Sequence, residues 1–212
     1  QKKVQSMEHW QLQNFSQQAE AVLTEMGSAG RKFYYDDFAS QTGIFTAVCV
    51  YADAGYGTCS GTGVEELGFE VSIKWPNDVV ISRKKICGIL TEMGTNGVKI
   101  NYVLIGVGIN VNLKEFPEEM QDKATSLILE SGQEYDRNQV ISQVMKYFEI
   151  NYEKFVQTCD FTHLLEDYHK ILANLNQPVR VLDGSKSFEG ICRGIDEKGE
   201  LLVEKQDKEI TK

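Results

Sequence analysis

Residues 72–93, "SIKWPNDVVISRKKICGILTEM", read as two short buried strands with a polar turn between them. The β-branched runs "FEVSIKW", "DVVIS", "KICGILTEM" and then "NYVLIGVGINVN" are separated by turn residues at strand spacing, so this part of the chain is a sheet core. Pro76 fixes its own backbone and pushes Trp75 towards an extended conformation, which makes "WPND" a rigid turn at a strand end. Asn77 and Asp78 are presented there. Asn and Asp also satisfy backbone groups in ordinary turns, and that reading stands beside a functional one.

Lys85 lies inside the apolar "KKICGIL". Strict alternation buries Ile86, Gly88 and Leu90 on one face and places Lys85, Cys87 and Ile89 on the other. The four-carbon stem of Lys85 then runs along a partly apolar face, either as a snorkelling surface lysine or as a cation that needs an anionic partner. Gly88 removes a side chain beside it. In "IGVGIN", Gly106 and Gly108 alternate on one face of a Val/Ile strand that ends at Asn110. Glycine inside a strand marks close approach, by a ligand or by a packed helix.

Outward from this core, "SQQAEAVLTEMGSAG" reads as a helix closed by Gly27, and "RKFYYDDF" as a strand. In residues 43–68 glycines break every helical face. "GYGTCSG" within it has the spacing G-x-G-x-x-x-G, which fits neither the dinucleotide fingerprint nor the P-loop. Downstream, a helix opens at Asp136 with Gln139 as its capping-box partner, and it stacks Val140, Ile141, Val144, Met145, Phe148, Tyr152 and Phe155 on one face. A second stripe runs through Phe161, Leu164, Leu165, Tyr168, Ile171, Leu172 and Leu175. After Pro178 the texture becomes short strands punctuated by Asp183-Gly184 and Lys198-Gly199, the pattern of a small β-barrel domain. The boundary falls near Asn176, dividing the chain into 1–175 and 176–212.

The chain has 212 residues, 42% of them apolar, enough for one well-cored domain and a small second one. No apolar run reaches the roughly 18 residues of a membrane span, and "QKKVQSMEHWQLQNF" lacks the apolar centre of a signal peptide, so a soluble cytoplasmic protein is expected. The five cysteines include no C-x-x-C pair and read as reduced thiols; no metal site is expected. A net charge of −9 disfavours contact with a phosphate backbone, and no DNA binding is expected of this chain.

"KWPND", "RKKICGILTEM" and "IGVGINVN", in this order, resemble the biotin protein ligase family, and "FPEEMQDKATSLILESG" and "QPVRVLDGSKSFEGICRGIDEKGELLVE" fit its later core and C-terminal domain. The resemblance runs from about Gly68 to Glu204. It implies an α+β fold, a mixed sheet flanked by helices and related to class II synthetases, followed by an SH3-like barrel that is truncated here. The implied activity has two steps: biotin and ATP give biotinyl-adenylate and pyrophosphate, and a lysine of a biotin carboxyl carrier domain then takes the biotinyl group. ATP and Mg²⁺ would be required, and a homodimer is left open.

By the same resemblance, Lys85 would neutralise the biotin carboxylate and the α-phosphate, and Asp78 would orient or deprotonate the acceptor lysine. Gly88, Gly106 and Gly108 would floor the biotin site, with Ser40 and Thr42 also on biotin. Asn77, Asn110 and Lys74 would serve the nucleotide. The sequence departs from the family upstream: Gln41 separates Ser40 from Thr42, and "SQT" runs directly into "GIF" without the Gly/Arg-rich loop that closes over the adenylate. The intact protein is expected to carry that loop. Without it, a non-catalytic biotin- or adenylate-binding module is the alternative to the enzyme, and a lipoate ligase is the third reading.

Overall fold

The computed structural model describes residues 24–27, 69–96, 99–183 and 186–212. Five strands form the larger sheet: β1 (Thr24–Gly27), β2 (Ser72–Lys74), β3 (Asp78–Ile81), β4 (Lys84–Asn96) and β5 (Lys99–Ile109), in the order β1-β5-β4-β3-β2. Every ladder in it is antiparallel. Among the described residues, parallel pairing appears as two single bridges, Ile73 with Leu172 and Lys85 with Ala124.

β1 corrects an expectation. Thr24–Gly27, expected in a helix closed by Gly27, is an edge strand paired to Tyr102–Ile105. Ladder bonds to a long neighbour outweigh a weak local helical preference. The remainder of that expected helix, the "RKFYYDDF" strand, residues 43–68, and Ser40 and Thr42 lie outside the described residues.

Three helices follow the sheet among the described residues. In α1 (Leu127–Ser131), Ser126 caps the start by accepting from Leu129 N, and Gly132 at φ +75° closes the end. α2 (Arg137–Thr158) starts at Asp136, whose carboxylate accepts from Asn138 N at 2.9 Å. Its Val140, Val144 and Phe155 are buried, Phe148 and Tyr152 pack partly buried beside them, and the buried Asn151 interrupts the apolar stripe. α3 (Leu165–Ile171) buries Tyr168 and Ile171, with Phe161, Leu164 and Leu172 at its flanks.

The C-terminal strands β6 (Pro178–Asp183), β7 (Lys186–Ile195), β8 (Leu201–Glu204) and β9 (Ile210–Thr211) form an antiparallel meander in chain order. No closed barrel is present among the described residues: the sheet is open, with β6 and β9 as its edges. It does not core itself separately. Cys192 and Ile195 of β7 belong to the same buried cluster as Ile73, Ile86, Phe161 and Tyr168.

Candidate active site

The turn between β2 and β3 and the start of β4 meet on one sheet face. Trp75, Pro76 and Asn77 form the turn, with a cis Trp75–Pro76 peptide. Asn77 is clamped to β4 from both ends: its side-chain nitrogen donates to Ile89 O at 2.9 Å, and Ile89 N donates to Asn77 O at 3.1 Å. That clamp fixes the first residue of β3, Asp78.

Across the sheet, Lys74 pairs with Asp78, Asp78 with Gly88, and Gly88 with Gly108. Residues directly opposite one another share a face, so these four form one transverse row. Leu90 and Gly106 pair two residues along the same face. The opposite face is core, lined by Val79, Cys87, Ile89 and Ile105. Gly106 and Gly108 therefore lie with Gly88 on the face away from the core, beside the exposed Leu90.

Lys85 departs from the alternation that its own strand predicts. Val79 pairs with Cys87 but Val80 pairs with Lys85, so Ile86 is an extra residue in β4. This β-bulge reverses the parity of everything before it. Lys85, expected with Cys87 and Ile89, instead joins the face of Asp78 and Gly88. Its ammonium contacts Asp78 Oδ1, while Lys74 Nζ stands 3.9 Å from Asp78 Oδ2. Lys85 and Asp78 side chains are 15% and 17% exposed.

The backbone around Lys85 is held on its other side. Lys85 N donates to Lys123 O at 2.8 Å and Thr125 N donates to Lys85 O at 2.9 Å. Asn110 fastens the same corner: its N–H donates to Ile86 O at 2.7 Å, and its side-chain nitrogen donates to Thr125 O at 3.0 Å. The carboxamide nitrogens of Asn77 and Asn110 are thus both engaged by backbone carbonyls. Sequence reasoning missed this 123–127 segment, because its role is to pair with the strand carrying Lys85, and no local pattern announces that. Among the described residues, no group of three or more His, Cys, Asp or Glu side chains could hold a metal ion. Of the five cysteines, Cys87, Cys159 and Cys192 lie among the described residues and are free thiols.

This arrangement sets a cation and a carboxylate in contact beside three glycines, Gly88, Gly106 and Gly108, that share one sheet face. An anionic ligand on that face can recruit Lys85, leaving Asp78 to Lys74 and to an incoming group.

The model of the biotin/lipoate A/B protein ligase family matches residues 20–110, and that of the biotin protein ligase C-terminal domain matches residues 175–211. The "Bifunctional ligase/repressor BirA" of Bacillus spizizenii is 42% identical over 144 residues, covering 66% of this chain and 43% of that protein. The "Biotin--[acetyl-CoA-carboxylase] ligase" of Mycobacterium tuberculosis is 34% identical over 137 residues, covering 64% and 48%. The chain thus spans less than half the length of these relatives. Among solved structures, biotin protein ligase from Aquifex aeolicus in complex with biotin and ATP superposes with a TM-score of 0.69 at 25% identity, over 90% of this chain and 75% of that one. No helix among the described residues is long and apolar enough to cross a membrane.

Proposed function

The chain belongs to the biotin/lipoate A/B protein ligase family, and we propose that it joins biotin to a lysine of a carrier domain by way of biotinyl-5′-adenylate. The observation that carries this reading is the bulge at Ile86, which sets Lys85 beside Asp78 on the face floored by Gly88, Gly106 and Gly108.

In the first step a biotin carboxylate oxygen attacks the α-phosphorus of ATP and pyrophosphate leaves. Two anions must meet, and Lys85 lowers the barrier by neutralising both the carboxylate and the charge developing on phosphorus. The biotin bicycle lies on the glycine strip. Magnesium would accompany ATP and help neutralise its phosphates. Lys74 extends the positive field towards the nucleotide, while Asn77 and Asn110 act through the backbone they fasten and through whatever polar capacity their amides retain.

In the second step the carrier lysine attacks the acyl carbon, the amide C–N bond forms and AMP departs. The amine must lose a proton. Once Lys85 has turned to the adenylate, Asp78 is the carboxylate placed to orient the amine and accept that proton. The biotin contacts that the family resemblance assigns to Ser40 and Thr42 lie outside the described residues. Residues 1–175 form the biotin/ATP domain and 176–212 the C-terminal domain, whose strand sequence is that of an SH3-like module. The protein acts in the cytoplasm.

Incubation with biotin, ATP, Mg²⁺ and a carrier domain tests the proposal by mass spectrometry of the acceptor. Biotinylation of one carrier lysine is expected. Tight biotin binding with an unmodified acceptor would favour the non-catalytic module, and acylation by lipoate alone would favour the lipoate reaction.

A further inference from the structure

The C-terminal sheet reaches back to the catalytic turn through one hydrogen bond. The Trp75 indole donates from Nε1 to Gly199 O at 3.1 Å, across 124 residues of sequence. Trp75 immediately precedes Pro76 and Asn77, so its ring is anchored on one side of the turn while the Asn77–Ile89 clamp holds the other.

Gly199 belongs to a turn built to hold its carbonyl still. Asp196 Oδ1 accepts from Lys198 N at 3.0 Å and from Glu200 N at 2.9 Å, and Gly199 N donates to Asp196 O at 2.9 Å. Lys212 neutralises Asp196 at Oδ2. Gly199 sits at φ +81°, a conformation in which a side chain is strained. A second contact braces the same turn: Phe161 N donates to Glu197 O at 2.8 Å. Behind it, α3 connects both halves. Ala173 N donates to Ile73 O at 2.8 Å, and Ile195 N donates to His169 Nε2 at 2.9 Å.

From these contacts we infer that Trp75 is a positioning residue, through which the Asp196–Gly199 turn of the C-terminal sheet sets Asn77 and Asp78 for transfer to the acceptor. The inference rests on the ligase reading for its chemistry. The glycine strip is held by the β4–β5 ladder and does not depend on this link, so the link governs the acceptor side and spares biotin binding.

Trp75→Phe keeps an aromatic ring and removes the donor; Asp196→Ala unlocks the turn from the far side. Each is expected to slow single-turnover transfer from preformed biotinyl-adenylate by about 10-fold while biotin affinity stays within about twofold. The double variant should be little slower than either alone, because both cut one link. Without any ligand, the Ile89 amide should exchange with solvent several-fold faster in Trp75→Phe, while the amide of Gly108, in the β4–β5 ladder, does not change. Transfer within twofold of wild type, additive effects of the two variants, or biotin affinity falling in step with transfer would overturn the inference. A wild-type protein that binds biotin yet transfers nothing would remove the ligase reading instead, and unchanged Ile89 exchange would then still overturn the link.

Discussion

Lys85 and Asp78 neutralise one another at the edge of a strip without side chains, and their removal should separate the two chemical steps. In Lys85→Met, Asp78 keeps Lys74 at 3.9 Å, so no stranded buried charge threatens the fold. Adenylate formation should fall by 10²-fold or more, measured under saturating biotin and ATP, with a nearly unchanged melting temperature. Turnover close to wild type would remove Lys85 from the chemistry. Asp78→Asn should slow transfer more than adenylate synthesis, and its defect should shrink as pH approaches the acceptor amine's own pKa of about 10, where the amine needs no base. Equal loss in both steps would reduce Asp78 to a partner for Lys85. Lys85 is conspicuous in the sequence, because a cation leading into "ICGIL" demands a reason. Its partner is not. The bulge that turns Lys85 towards Asp78 exists only in the pairing of two strands; strict alternation along β4 buried the face of Gly88 and Leu90 and set Lys85 on the other, whereas Leu90 is exposed and Cys87 and Ile89 are buried.

Strands β3, β4 and β5 matter together because their register aligns Asp78, Gly88 and Gly108 in one row. A methyl at Gly108 would stand on the face proposed to hold biotin, and overpacking of that kind costs about 1–3 kcal/mol at the site. Gly108→Ala should therefore weaken biotin binding by roughly 10-fold or more, by titration, with an unchanged melting temperature. A lowered melting temperature with preserved affinity would assign the glycines to packing. The strands of this sheet were legible from their β-branched runs, and α2 from Asp136 and its apolar stripe, since both patterns are local. Thr24–Gly27 was not: its strand state comes from ladder bonds to Tyr102–Ile105, nearly eighty residues away in the chain. The open meander of β6–β9 was legible strand by strand, but its closure into a barrel is a property of edges that no single strand encodes.

At the scale of the molecule, the two halves share one core, with α3 wedged between them. Tyr168 is fully buried there, and burial drives its hydroxyl well above the ordinary tyrosine range, with the Cys192 sulfur adding to the effect. Desolvation likewise pushes the Cys192 thiol up, partly offset by a backbone hydrogen bond from Gly194. Gly194 leaves room for the His169 ring: at φ +115°, a Cβ would lie 2.5 Å from His169 Nε2. Asp196 carries the clearest pH dependence. Burial works to raise its pKa, but the Lys212 ammonium and the N–H groups of Glu200 and Lys198 outweigh it, and the carboxyl titrates below its usual range. A folded pKa below the unfolded one means stability that is fully present above about pH 4 and is lost as pH falls through the folded value. Asp196→Asn should cost about 1 kcal/mol at pH 7 by denaturant unfolding, and that gap should close towards pH 2. A gap independent of pH would show that the charge of Asp196 contributes nothing. The change of texture after Pro178 coincides with the start of β6, whereas the tie between Trp75 and Gly199 was not legible, because they meet only once the chain has folded. The central claim is that this face couples a carboxylate to a nucleotide. It is tested most directly by mixing the protein with biotin, ATP and Mg²⁺, without any acceptor, and following pyrophosphate. The account predicts a burst of pyrophosphate of about one equivalent per site that requires biotin and disappears in Lys85→Met; no biotin-dependent release from the wild-type protein would contradict it.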